Sequence, residues 1–275
     1  MRIVVLAANI YSERALATLV ALHEAGFTPI ACVCLSTLSL STIVRKLAQY
    51  GPKNFVLYVV RRLNMFRGGR HLKQFQDLQF DNPYLECRLK YHNIAFSDVA
   101  SACTEYNIHL CYCKDVNSEK VLSFLRKFDI DLIVYTGGGI LRNGLIKMPK
   151  VGVLNAHGGI LPEYRGMNVM EWSLLQGDQI GVTVHFIDSK IDTGQICFVN
   201  KVPVSGEDGS ITALRNRIVD TTVDALVEAV RMLAKGEMRT KPQAPKEGKQ
   251  YFTMHEKLLA LAELKLNHIV DPLLK

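Results

Sequence analysis

The chain has no C-x-x-C pair, and its seven cysteines are odd in number and irregular in spacing. Such a set does not describe a disulfide framework, and a structural zinc site needs four ligands on a supporting loop. Buried thiols in a reducing cytoplasm are the expectation, with no metal. Long apolar runs are also missing. None reaches the roughly 20 residues of a membrane span. The opening run stops about six residues in, at Asn9, where a secretory core would continue for about 7–15 residues. Acidic residues are absent from one region: positions 36 to 76 hold no Asp or Glu, although Arg45, Lys46, Lys53, Arg61, Arg62, Arg67, Arg70 and Lys73 lie there. Those cations outnumber the whole surplus of +7 and leave the rest of the chain close to neutral. The basicity is local, and it suits either a solvated face or an anionic partner.

What remains alternates strands with helices. "RIVVLAA" is expected as a strand, and Ser12 to Ala25 as a helix closed by Gly26. The basic stretch interrupts the pattern as an inserted helical hairpin over about 40–75, centred on Gly51-Pro52. The alternation resumes with "IHLCYC" as a strand and Ser118 to Phe128 as a helix with Ser118 as its N-cap. Two apolar strands follow, "DIDLIVYTGGG" and "VGVLNAHGG", then a helix "MNVMEWSLLQG" with the only Trp. "GVTVHFID" and "GQICFVNKVPV" read as antiparallel partners, followed by a long amphipathic helix from Ile211. Residues 241 to 250 read as loop, and Met254 to Leu266 as a short helix. Strands that are apolar on both faces and separated by helices predict a Rossmann-like α/β fold, a mostly parallel sheet covered on both sides. The expected organisation is a catalytic domain over 1–205, containing the insert, and a C-terminal helix and extension over 206–275.

Polar residues cluster at the expected strand ends. Asn155 and His157 follow "VGVL", Gly137 to Gly139 end the preceding strand, and Asp192 sits in the tight "SKIDTG" connection. Ligands of open parallel sheets bind beyond the carboxyl ends of the strands, and glycine there lets a flat ligand approach the backbone. An amide and a protonated imidazole can donate to an oxygen that gains charge, and a carboxylate nearby can accept a proton. No serine or cysteine is placed as a nucleophile, so direct attack of an amine on a carbonyl fits better than a covalent intermediate. The same residues also serve ordinary turns. His185, which alternates with core residues in "GVTVHFID", reads as structural.

"NAHGGILPEYRGMNVMEWSLLQGDQIGVTVHFIDSKIDTGQI" resembles the signature of the 10-formyltetrahydrofolate-dependent formyltransferases, most closely in type the sugar N-formyltransferases. That family has an N-x-H, an L-P-x-Y-R-G-like loop, a G-V-T-V-H strand and an I-D-T-G turn in this order. The likeness runs from about residue 125 to 205 and more weakly over 1–35. It implies an enzyme of one-carbon metabolism that uses 10-formyltetrahydrofolate as formyl donor, with Asn155, His157 and Asp192 as the catalytic trio. It implies a pterin pocket formed by the backbone at Gly137, Gly138, Gly139, Ile140 and Leu141 and by the turn Ile187, Asp188, Ser189 and Ile191. Asn9, Ser12 and Arg165 are the expected acceptor contacts.

The expected acceptor is a small primary amine carrying phosphate, a nucleotide-linked amino sugar. Methionyl-tRNA is the alternative, disfavoured because only about forty residues follow Gly236, fewer than the C-terminal barrel of the tRNA enzymes needs. The chain also departs from the glycinamide ribonucleotide enzymes, whose glycine-rich loop is replaced by "LAANIYSER". A folate-binding protein without activity is the alternative from another class.

Overall fold

The computed structural model describes residues 1–35, 82–91, 98–244 and 246–271. The basic segment and its expected hairpin lie outside the described residues.

β1 (Ile3–Ala7) is buried along its whole length and leads into α1 (Glu13–Glu24), whose first turn is capped by Ser12 Oγ accepting from the Ala15 amide at 3.3 Å. β2 (Ala31–Leu35) follows. Among the described residues that follow are two helices that the sequence pattern did not disclose, α2 (Pro83–Tyr91) and α3 (Val99–Glu105), the second opened by a capping box between Asp98 and Ser101. Then come β3 (His109–Cys113), α4 (Glu119–Leu125), β4 (Leu132–Tyr135), the short α5 (Asn143–Ile146) and β5 (Gly152–His157). Ser118 stands at the N-cap of α4 as expected, but its side chain makes no capping hydrogen bond. The chain continues through β6 (Tyr164–Gly166), α6 (Val169–Gln176), β7 (Gly181–Phe186), β8 (Ile196–Lys201) and α7 (Ile211–Lys235). It ends with β9 (Lys249–Tyr251) and α8 (Glu256–Val270).

Among the described residues, seven strands form one sheet in the order β3-β2-β1-β4-β5-β7-β8. The first five are mutually parallel, whereas β7 runs antiparallel to β5 and β8 antiparallel to β7. The order reverses between β1 and β4, which makes their carboxyl ends the switch point where such sheets bind ligands. Gly137 lies there so close to β1 that a side-chain carbon would come within 2.7 Å of Ala8 Cβ, and its φ of 138° is one that glycine adopts freely.

Period-two alternation divides the core. Ile3, Val5 and Ala7 join Leu132, Val134, Leu154 and Ala156 under α1 and α7, whereas Val4, Leu6, Ile133 and Val153 face α4 and α5. Each buried Val, Leu or Ile among them contributes about 1.5–3 kcal/mol. Cys32 and Cys34 lie in the first layer and Cys111 and Cys113 in the second, so the sheet separates the two C-x-C pairs.

The helices beyond residue 205 pack on the sheet. Leu214, Ile218 and Leu226 of α7 and Leu266 of α8 belong to the same hydrophobic cluster as β1 and β5. Arg88 of α2 is held to α7 by Asp220 at 2.9 Å and Asp224 at 2.8 Å. The stretch expected as loop up to Gln250 ends in β9, which pairs in parallel with β6. Among the described residues, no helix is long and apolar enough to cross a membrane.

Candidate active site

Asn155 and His157 are two residues apart on β5, so their side chains share a face, the opposite one from Leu154 and Ala156. Both are nearly buried, at 9% and 8% exposure. His157 Nε2 lies 2.7 Å from the Tyr164 carbonyl oxygen. A carbonyl only accepts, so Nε2 carries a proton and Nδ1 is the edge that faces Asp192, 3.6 Å from its Oδ2.

His185 is the residue whose place the sequence understated. It is a buried core residue, as its alternation implied, yet it pairs in register with Asn155 and joins the polar cluster. Its Nδ1 lies 2.8 Å from the Phe186 carbonyl and so must donate. Burial, reinforced by His157, lowers its pKa from the ordinary 6.5 to about 4, so the ring is neutral near pH 7 and Nε2 has a lone pair. Only the amino side of Asn155 can then face that nitrogen, at 3.1 Å, and this fixes the orientation of the Asn155 amide. The signal was present in the sequence as an antiparallel register that sets His185 beside Asn155, but register is a tertiary quantity.

Asp192 reaches the cluster from the turn between β7 and β8. Its φ of 51° is in the left-handed region, which non-glycine residues seldom adopt. Oδ2 accepts from the Gly166 amide at 2.9 Å, and Oδ1 lies 3.6 Å from His185 Nε2. Oδ1 has no hydrogen bond among the described residues and is the oxygen left for a proton. The three expected catalytic residues are therefore brought together, with Oδ2 toward His157 and Oδ1 toward His185.

The two segments expected to hold the donor flank this cluster. Tyr135 ends β4 beside Asn155, and its hydroxyl donates to the Gly139 carbonyl at 2.9 Å, closing the Gly137–Gly139 loop. Leu141 and Ile187 pack in one hydrophobic cluster, which joins the β4 loop to the turn after β7. Ile140 is 75% exposed and Ile191 39% exposed, an apolar surface on both segments. Within the turn, Asp188 accepts from the Lys190 amide and the Thr193 hydroxyl, so its carboxylate shapes the loop that contains Ser189.

The expected acceptor contacts have structural duties of their own. Asn9 Oδ1 accepts from the Tyr11 amide at 2.8 Å, Ser12 caps α1, and the buried Arg165 guanidinium donates to Gln243. A cation that sequence reasoning did not single out reaches the backbone of β5. Arg14 Nη2 donates to the carbonyl of Ala156, the residue between Asn155 and His157, at 2.8 Å. Its Nε is buried without a partner among the described residues, and burial lowers its pKa to about 10, which leaves it charged.

The chain spans about half the length of the curated relatives it matches: methionyl-tRNA formyltransferase of Bacteroides fragilis is 28% identical over 170 residues, 57% of this chain and 52% of the relative. That of Desulfotalea psychrophila is 33% identical over 130 residues, 46% of this chain and 40% of the relative. Solved structures share the fold at low identity. Phosphoribosylglycinamide formyltransferase from Anaplasma phagocytophilum superposes with a TM-score of 0.56 at 17% identity, covering 92% of this chain and 99% of that one. A sugar N-formyltransferase from a Shewanella species gives 0.53 at 13% identity, covering 97% and 87%. The family profile described as formyl transferase matches residues 87–230, a span that carries Asn155, His157, His185 and Asp192 and more than half of the 275 residues, and the chain belongs to that family.

Proposed function

We propose that this protein transfers a formyl group from 10-formyltetrahydrofolate to the primary amine of a phosphate-bearing acceptor, a nucleotide-linked amino sugar, in the cytoplasm. The observation that carries this reading is the convergence of Asn155, His157 and Asp192 at strand ends inside the family-matched span.

The residues beside the cluster fit the donor. Glycines after β4 allow close approach of a flat ring, and Ile140 and Ile191 offer it apolar surface. The donor supplies an electrophilic formyl carbon. The incoming amine forms a bond to that carbon, and charge moves to the formyl oxygen. The Asn155 amide, held by His185, and a protonated His157 donate to that oxygen; such donors contribute about 10²–10³ in rate. Asp192 faces the His157 cation, takes the amine proton through a water on Oδ1 and returns it to the donor nitrogen as the carbon–nitrogen bond breaks, which releases tetrahydrofolate. The carboxylate distinguishes this reading from a protein that only binds folate, which has no need of a proton acceptor.

The basic residues between 36 and 76 support an anionic handle on the acceptor. Methionyl-tRNA is the second reading, favoured by the names of the curated relatives. The test is a panel of amines incubated with 10-formyltetrahydrofolate, with formyl transfer followed by mass. Transfer to a nucleotide amino sugar with a shallow salt dependence supports the proposal. Transfer to charged initiator tRNA supports the second reading, with affinity falling by a logarithmic slope of about −0.7 to −0.9 for each phosphate contact. No binding of the inert analogue 5-formyltetrahydrofolate at millimolar concentration sinks both.

A further inference from the structure

Gln243 belongs to the segment after α7, beyond the family-matched span. Both polar ends of its side chain are engaged at the site. Nε2 donates to the carbonyl of Asp192 at 3.0 Å and to that of Gly194 at 2.7 Å. Oε1 accepts from Arg165 Nε at 3.3 Å and Nη2 at 3.0 Å. Two carbonyls on one side and a guanidinium on the other fix the orientation of the amide, since the reverse would set donor against donor.

These contacts close a ring. Arg165 holds Gln243, Gln243 holds the backbone on both sides of Thr193, and the Asp192 carboxylate returns to the amide of Gly166, the neighbour of Arg165. Asp192 needs such a restraint, because its φ of 51° is one that a non-glycine residue leaves readily when nothing holds it. We infer that Gln243 is a positioning residue, which keeps the Asp192 turn in the conformation that directs its carboxylate at His157. The inference rests on the proposed role of Asp192 as proton acceptor and adds that the aim of this group is set from the C-terminal segment.

Two substitutions separate the arms of the contact. Gln243→Ala removes both; Gln243→Glu keeps an acceptor for Arg165 but loses the donors and sets negative charge against the two carbonyls. The first readout needs no acceptor: hydrogen exchange at the Gly166 amide, which Asp192 protects. Both variants should exchange about tenfold faster there, with amides of β5 and β7 unchanged. The second readout is turnover on the most active amine of the panel, expected to fall about 10- to 100-fold with KM for the donor unchanged, the scale of a small misplacement. In an Asp192→Asn background the further loss from Gln243→Ala should shrink to under about threefold, as for residues that act through one another.

Unchanged exchange at Gly166 in Gln243→Glu, or equal loss of protection throughout β5, overturns the inference in favour of plain fold support. So does normal turnover in both variants while Asp192→Asn is inactive. If Asp192→Asn itself turns over normally, the proton-acceptor reading fails instead, and the exchange result still decides whether Gln243 holds the turn.

Discussion

The β5–β7 strand pair and the C-terminal segment hold the same carboxylate in different ways. The strand pair faces it with two rings, His157 and His185, each 3.6 Å from one of its oxygens, and Asn155 binds His185 from the paired position of the same register. The C-terminal segment contributes backbone restraint. Gln243 binds the Asp192 turn, and β9 pairs with β6, where Gly166 donates to Asp192. Trp172 and Tyr164 pack on Tyr251 and tie that segment to the strand-pair side, with ring centroids 5.3 and 5.1 Å from it. The polar side chains and the backbone restraints therefore come from separate parts of the chain, and only the first part matches the family profile.

Substitutions of the carboxylate and of the strand-pair side chains around it should have the largest effect. Asp192→Asn is expected to lower turnover by about 10² or more, the scale of a lost general base. Asn155→Ala and His157→Ala should do the same through lost donation to the formyl oxygen. Calorimetry with 5-formyltetrahydrofolate should register nearly unchanged binding in all three. Normal turnover in any of them removes that residue from the chemistry.

Gly166→Ala tests the junction of the two regions. Gly166 has a φ of 94°, and a side-chain carbon there would overlap the Tyr251 carbonyl oxygen. Strain of about 1–3 kcal/mol, or separation of β9 from β6, is the expected result, measured as a lowered midpoint in urea. A wild-type midpoint would mean that the C-terminal strand is not tied to the loop.

His185 gives the strand pair a pH dependence. Its pKa is about 4 in the folded chain and near 6.5 when unfolded, so the unfolded state takes up the proton first as pH falls. Stability from the neutral ring is complete above about pH 6.5, declines from there toward pH 4, and is lost below it. The total is on the order of a few kcal/mol. His185→Gln should flatten this decline in denaturation curves recorded across the window. An unchanged slope would show that the ring is not held neutral.

The smallest effect is expected on the C-terminal side. Trp172→Phe keeps most of the ring contact with Tyr251 but removes the indole donation to the Phe252 carbonyl, 3.1 Å long. A loss of about 0.5–1.5 kcal/mol should follow, with turnover almost unchanged. A larger kinetic effect would mean that the segment's grip on Asp192 runs through Tyr251 as well as Gln243.

The sequence by itself determined which polar groups stand at the strand ends and the sheet that carries them. Apolar runs such as "IVVLA" and "GVL", separated by capped helices, specify buried parallel strands because such strands must be apolar on both faces. An amide and an imidazole two residues apart at the end of one strand share a face by the period of the pleat. The tertiary structure alone decided what depends on distant partners. The low pKa of His185 follows from burial and from a register thirty residues away, and the aim of Asp192 from Gln243, fifty-one residues on. Local periodicity does not encode which strands pair or which loop a glutamine meets; those contacts exist only once the layers have packed.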